Sequence, residues 1–364
     1  MNLIFKKSGD FFGAFADAAI LLPIISLMAL KSGYRLDSLL LSAGLAYLIS
    51  GFLFKVPISV QPLKSIAIAS LAMGASFQEI RFSGFCVGLV FLILYALKTQ
   101  SLPIPEPVIR SVQCGLGILL AQQALKILPL EWSSLILTLG LVLALLLSDF
   151  KFSIPLLGIV SFVVFIFGTL HSRASASSAM LMQTPQLFRP ALILSLVLPQ
   201  IALTSANSIS GAKLACSHYF REEASRVSIP KLLLSVGLGN VLSSMIAGLP
   251  YCHGAGGITA HSKAGARTYK MNTVIGITLC LMGLLQFFLH FPLALPPIPT
   301  AAILISVGIF HLELAKPLLI NRSGQITLLG SSLATLLTGN LLSTFVIAWT
   351  IHSIFNKQKG LQNA

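Results

Sequence analysis

Apolar runs long enough to cross a lipid bilayer recur along the whole chain, and they constrain the fold more than any other feature. Residues 12–30, 36–54, 133–148, 154–170, 272–291 and 328–351 each have the length that a hydrocarbon core of about 30 Å demands of a helix. The composition agrees: 55% of the residues are hydrophobic and 9% charged, against roughly 25% charged in an ordinary soluble domain. These runs do not alternate in polarity, so they predict helices rather than the strands of an outer-membrane barrel.

Charge and cysteine usage remove further classes. The net charge of +14 comes from cations spread singly between apolar runs, not from one basic face interleaved with aromatics, so no nucleic-acid partner is read. Five cysteines without paired CxxC spacing give neither a disulfide framework nor a zinc site, and no metal or cofactor is expected. Lys6 and Lys7 precede a run of full spanning length with no distinct small-residue cleavage pattern, so a cleavable signal is not expected.

Fourteen spans are predicted, twelve long and two short: about 11–30, 36–54, 63–74 (short), 81–97, 105–125, 133–149, 154–170, 189–210, 229–247, 257–266 (short), 271–291, 297–315, 325–340 and 341–356. The last apolar stretch is divided at Gly339-Asn340. With the N-terminus in the cytoplasm, the 24 Lys and Arg residues fall as sixteen inside, six outside and two, Lys64 and Arg110, at membrane depth. That satisfies the positive-inside rule, with Lys213, Arg221, Arg226 and Lys231 assigned to the loop after the eighth span. A multi-pass protein of the inner or plasma membrane, with both termini cytoplasmic, is the expectation.

Three correspondences lie at nearly one offset, 190 to 193 residues: Asp17 with Asn207, Pro57 with Pro250, and Pro105 with Pro296. Seven spans per half is an odd number, so the second half would enter the membrane upside down, as in inverted-repeat carriers. The halves are read as 1–172 and 185–364.

A short span crosses only about half of the hydrocarbon, and an interruption precedes each one. The first, from Pro57 to Lys64, holds two prolines five apart, which forbid a continuous helix. The second, from Pro250 to Gly257, holds three glycines that permit close backbone approach. Two helix N-termini would then point at a common midplane site suited to an anion. Lys64 in a first helical turn fits a bound dianion, or else snorkels to the interface beside Lys55. Gln61 contacts ligand or satisfies backbone, and His253, beside Gly254, Ala255, Gly256 and Gly257, donates to an oxyanion, shuttles protons or caps backbone. Cys252 beside His253 is a weak metal hint only.

Asp17 lies inside an apolar span and needs a cavity or a partner; it couples protons or fixes a broken helix through Lys64. Gln200, Thr204 and Asn207 recur on one helix face, which lines a cavity or joins helices. Glu106 and Arg110, four apart, pair with each other as gate or scaffold residues.

The segments PISVQPLKSIA (57–67) and LPYCHGAGGITAHSKAGART (249–268) resemble the two signature motifs of the molybdate transporter family, relatives of the SulP sulfate permeases. Residues 13–23, 107–113 and 200–207 resemble supporting segments of the same family. The resemblance implies an importer of molybdate coupled to protons or another ion, its two halves intertwined into a core domain (spans 1–4 and 8–11) and a gate domain (spans 5–7 and 12–14), with Gln61, Lys64, His253 and the backbone of Gly254–Gly257 as the anion site. Ala16 and Ala19 stand where glycines are expected, and Tyr251 and His261 are unusual within the second motif. The chain has no room after its last span for the cytoplasmic STAS domain common in SulP permeases. The partners implied are the oxyanion, coupling protons and the lipid bilayer, with a homodimer left open. Competing readings are a sulfate permease, a nucleobase permease of the same plan, and a membrane-embedded enzyme. The nucleobase plan places carboxylates on the tenth span, and residues 254–266 have none; the enzyme would need convergent acid, base or metal ligands. The chain is therefore read as a carrier and not an enzyme.

Overall fold

The structure, a computed structural model, describes residues 9–99, 104–147, 189–289 and 297–362. Residues 9–14 are helical and residues 15–17 form a turn before α1 (Ala18–Ser32), so the first span is broken at Asp17. Helices α2 (Leu36–Phe54), α3 (Lys64–Met73), α4 (Phe77–Ala96), α5 (Glu106–Ile127) and α6 (Trp132–Leu147) follow. The seventh span expected at 154–170 lies outside the described residues. The second half holds α7 (Pro190–Leu203), a π-helical segment Thr204–Ser210, α8 (Gly211–Phe220), α9 (Ile229–Met245), α10 (Ala255–Lys263), α11 (Lys270–Leu289), α12 (Pro297–Glu313), α13 (Arg322–Thr338) and α14 (Leu341–Gln362).

Local chemistry sets the boundaries. Gly33, Gly74 and Gly339 end α1, α3 and α13 in the left-handed conformation that glycine adopts without a Cβ penalty. Ser76 and Glu79 form a capping box at the start of α4. The Ser228 hydroxyl accepts from the Lys231 N–H at the start of α9. The expected division at Gly339-Asn340 is observed.

One boundary differs. The eighth span does not stop at 210 but continues through the π-helical segment and α8 to Phe220. Lys213, assigned to a loop from the sequence, therefore sits on a helix, where its Nζ donates to the Val227 carbonyl at 3.0 Å. The run of Ser205, Ser208 and Ser210 imitates a helix end. Two of these serines, Ser205 and Ser208, are instead buried within the protein.

Three helix pairs cross where glycines let the backbones touch, as small residues do between helices in lipid. A Cβ on Gly44 of α2 would lie 2.7 Å from the Gly276 carbonyl oxygen of α11; one on Gly88 of α4 would lie 2.8 Å from that of Gly237 in α9; one on Gly117 of α5 would lie 2.7 Å from that of Gly308 in α12. Gly44 to Gly237 is an offset of 193, Gly88 to Gly276 is 188, and Gly117 to Gly308 is 191. The first two crossings thus exchange at offsets of 193 and 188, within two residues of the 190 to 193 read from the sequence, and the third maps onto itself at 191. The fold follows the plan of two related halves wrapped around each other.

Exposed Leu137, Leu139, Leu281, Phe288, Leu329 and Leu337 cover outer helix faces, a coat that water would disfavour and lipid accepts. Helices α2, α4, α5 and α11 and the stretch Pro190–Arg226 are long and apolar enough to cross a membrane. The chain is a multi-pass helical membrane protein.

Candidate anion site

The two interruptions lie side by side. Gln61 and Pro62 (β1) pair antiparallel with Cys252 and Tyr251 (β2), and the Leu63 N–H donates to the Pro250 carbonyl at 2.9 Å. A two-residue ladder satisfies few backbone groups, so side chains complete it. Asn272 of α11 accepts from the Ile58 N–H (3.1 Å) and donates to its carbonyl (2.7 Å). Asn240 of α9 does the same for Tyr251, at 2.9 and 2.7 Å. Such groups must be paired when buried, because no water reaches them in the hydrocarbon region.

Immediately after this paired segment, α3 starts at Lys64 and α10 at Ala255. Both first-turn residues line the same cavity, about 250 Å³ in volume and far larger than the ~30 Å³ share of one water. The first N–H groups of a helix have no intrahelical acceptor and carry about half a positive charge, so two positive helix ends face one space. At ten and nine residues, α3 and α10 are about 15 and 13 Å long, each enough to cross only about half of a core of about 30 Å.

Of the residues singled out from the sequence, Lys64, Gln200, Thr204, Asn207, Ala255 and Gly256 line this cavity. Lys64 does not snorkel: it is 9% exposed, and its ammonium joins no ion pair among the described residues. Lys55 stands apart, its Nζ over the rings of Phe52 and Tyr269 at 4.9 and 4.8 Å. Gln200 reaches across to α3, its Oε1 accepting from the Ile66 N–H at 3.2 Å while its Nε2 donates to Thr204 Oγ1 at 2.8 Å. Asn207 sits in the π-helical segment, an irregularity common at functional sites.

Other residues support the cavity from behind. Asp17 accepts from Gln61 Nε2 at 2.5 Å, so its direct partner is Gln61 rather than Lys64. Gly254 and Gly257 let the second interruption close on that pair: a Cβ on Gly257 would lie 2.6 Å from Asp17 Oδ2 and 2.7 Å from Gln61 Nε2, and one on Gly254 would collide with Gln61 Oε1. His253 does not reach the cavity. One ring nitrogen is 2.8 Å from the Ser59 carbonyl oxygen and the other 2.9 Å from Ser235 Oγ, so the imidazole joins both interruptions to α9. The Ser59 hydroxyl donates to the Gly254 carbonyl at 2.7 Å and completes the tie. Cys252 lines the cavity while His253 turns away, so the two do not converge on a metal. Glu106 and Arg110 pair as expected, at 2.5 Å, and Arg110 also donates to the Leu314 carbonyl.

Sequence reasoning missed several cavity residues. Ser208 and Thr259 extend faces already noted, four residues after Thr204 and three after Gly256. Gln113 ends a segment noted only as supporting evidence. Phe310 and His311 close the cavity from α12, where only a histidine inside an otherwise apolar span could have signalled them.

The sequence pattern of the family described as "Molybdate transporter of MFS superfamily" matches residues 9–120 and 192–311, which include both interruptions and nearly every cavity residue. Molybdate transporter 1 of Arabidopsis thaliana is 26% identical over 345 residues, covering 78% of this chain and 74% of that protein. Molybdate transporter 2 of the same plant is 26% identical over 335 residues, covering 76% and 72%. Among solved structures, the transmembrane domain of a cyanobacterium bicarbonate transporter, BicA, superposes with a TM-score of 0.66 at 19% identity, covering 94% of this chain and 97% of that one. That likeness establishes the fold, and the sequence match spanning both halves shows that the chain belongs to the molybdate transporter family.

Proposed function

We propose that this protein is a secondary active transporter that imports a tetrahedral oxyanion, molybdate first, by alternating access. The observation that carries the reading is the single cavity onto which two helix N-termini and the unpaired Lys64 ammonium converge, with no carboxylate among its described lining residues. Such a space is positively polarised and water-poor, so its attraction for a dianion is far less screened than at a surface. Backbone N–H groups at Ala255 and Gly256, the amide of Asn207 and the hydroxyls of Thr204, Ser208 and Thr259 suit the oxygens of such an anion. A nucleobase permease is disfavoured, since no carboxylate in the cavity accepts from base N–H groups.

In this reading spans 1–4 and 8–11 form a core domain that carries the anion, and spans 5–7 and 12–14 form a gate domain against which it moves. The α5–α12 crossing at Gly117 and Gly308 lies within that gate. Residues 1–172 and 185–364 are the two inverted halves. The protein resides in the inner or plasma membrane with both termini cytoplasmic, as the Lys and Arg distribution supports.

Purified protein in proteoliposomes tests this by uptake of labelled molybdate across a pH gradient, in competition with sulfate, tungstate and uracil. Tungstate and molybdate compete, uracil does not, and Lys64→Gln abolishes uptake while the variant stays monodisperse. Uptake by Lys64→Gln at the wild-type rate, or competition by uracil alone, removes the proposal.

A further inference from the structure

His311 is the one titratable group that α12 places in the cavity, and nothing in the sequence reading gave it a role. It is 6% exposed, and neither ring nitrogen has a hydrogen-bond partner among the described residues. Two unpaired polar atoms at this depth are costly, whereas the buried imidazole of His253 has both nitrogens engaged. The ring is held from the side by Phe310, edge to face at 5.8 Å, and at its base by the close α5–α12 crossing, where a Cβ on Gly117 would lie 3.3 Å from His311 Cβ. It is therefore a fixed group whose two nitrogens serve something absent from the protein itself.

We propose that His311 binds the oxyanion from the α12 wall in its protonated form, so that one proton enters the cavity with each anion. The proposal rests on the oxyanion-carrier reading and names its coupling group. A neutral imidazole offers one donor and one acceptor, and the acceptor would face anionic oxygen; the protonated ring offers two donors. In the empty cavity a second cation beside the Lys64 ammonium is unfavourable, and a bound dianion reverses the sign of the local potential. Anion and proton binding are then reciprocally linked. The proton passes from the compartment to which the cavity is open onto a ring nitrogen, and no other bond changes.

No other imidazole and no carboxylate lines the cavity among the described residues. From α3, Lys64 shares the cavity, and from β2 the Cys252 thiol does. On α5, Glu106 and Arg110 pair with each other, the Cys114 thiol meets Ser332 Oγ of α13 at 3.4 Å and Lys126 lies in the last turn; α1 holds only Lys31, in its last turn; α6 has none. On α10, His261 and Lys263 lie in the last turn, and one His261 nitrogen is 2.7 Å from the Gly13 carbonyl oxygen. On α12 itself, Glu313 pairs with Lys316 at 2.8 Å. Asp17 lies behind the cavity and not in its lining: its Oδ1 accepts from Gln61, and its Oδ2 has no hydrogen-bond partner among the described residues.

Calorimetric titration of purified protein with molybdate, in two buffers of different ionisation enthalpy, counts the protons taken up per anion. The wild type takes up close to one proton from about pH 7 upward, and its affinity weakens by up to about tenfold per pH unit there. His311→Gln, verified as monodisperse, binds with no proton uptake and a flat pH profile, and near pH 6 its affinity is lower by about ten- to a hundredfold, the loss of one charge-assisted hydrogen bond. Zero proton uptake by the wild type, or an unchanged proton count in His311→Gln, overturns the assignment. His311→Asn provides a second measurement should the glutamine variant misfold. Those results with Lys64→Gln still abolishing binding refute the histidine's role alone; failure of the wild type to bind molybdate at all refutes the carrier reading and this proposal with it.

Discussion

Gly256 and Gly257 are neighbours in one motif, yet the structure assigns a methyl group at each opposite consequences. At Gly257 a Cβ would stand 2.6 Å from both Asp17 Oδ2 and Ser59 Cβ and 2.7 Å from Gln61 Nε2, about 1 Å inside ordinary contact. None of the three can step aside. Asp17, Ser59 and Gln61 are fully buried, and the hydrogen bond between Asp17 and Gln61 and that from Ser59 to the Gly254 carbonyl fix them. Overpacking of this kind costs about 1–3 kcal/mol, a factor of roughly 5 to 150 in the folded population. At Gly256 the nearest heavy atom is Phe310 Cε1 at 3.9 Å, and the methyl projects into the cavity. Gly256→Ala then keeps or gains stability, by up to about 1 kcal/mol from helix propensity, while the anion loses room beside the α10 terminus. Thermal unfolding in detergent followed by tryptophan fluorescence, paired with molybdate affinity, separates the two. Gly257→Ala unfolds at a lower temperature, and Gly256→Ala unfolds at or above the wild-type temperature with weakened binding. Equal stability of the two variants would refute the claim that the second interruption closes directly on the Asp17–Gln61 pair.

Two further outcomes follow from hydrogen bonds around the cavity. His253→Ala orphans the Ser59 carbonyl and the Ser235 hydroxyl and empties a buried ring site, so it costs several kcal/mol; folded yield falls sharply, and the molecules that fold bind molybdate within about threefold of wild type. A large loss of affinity at undiminished yield would return His253 to the site. Gln200→Leu removes the acceptor of the Ile66 N–H and lowers stability by about 1–3 kcal/mol, read as a lower melting temperature, while Gln200→Glu restores the acceptor but places a carboxylate in the cavity and suppresses uptake.

The fold was largely legible because its determinants are local. Spanning runs, left-handed glycines at the ends of α1, α3 and α13, and prolines that forbid helix at 57–62 act through neighbours in sequence. The site was legible in part. Lys64, Asn207 and Gly256 lie on helix starts or faces that periodicity and helix ends identify. His253 was misplaced because a motif gives adjacency and not direction: it follows Cys252, which lines the cavity, and in an extended segment successive side chains point opposite ways. Asn240 and Asn272 were invisible because the strand pairing they complete joins segments nearly 200 residues apart. His311 lacked any polar neighbour at helical spacing to mark a lined face.

The relation between the halves explains why one scaffold holds one site rather than two. Gly44–Gly276 and Gly88–Gly237 exchange under the repeat offset, and Gly117–Gly308 maps onto itself, so the scaffold is close to two-fold. The interruptions are not. The first contributes the long side chains of Gln61 and Lys64; the second contributes Gly254 and Gly257, which leave space for Gln61, and Gly256, which lines the cavity beside Lys64. At the same offset of 193 that joins Pro57 to Pro250, Lys64 corresponds to Gly257, so a second lysine there would occupy the place of Asp17 and Gln61. A symmetric scaffold allows two arrangements of similar energy, which the proposed alternating access would use. In the proposed carrier, the asymmetric filling leaves Lys64 as the single lysine or arginine of the cavity lining, enough to attract an oxyanion in either arrangement without holding it so tightly that it cannot leave.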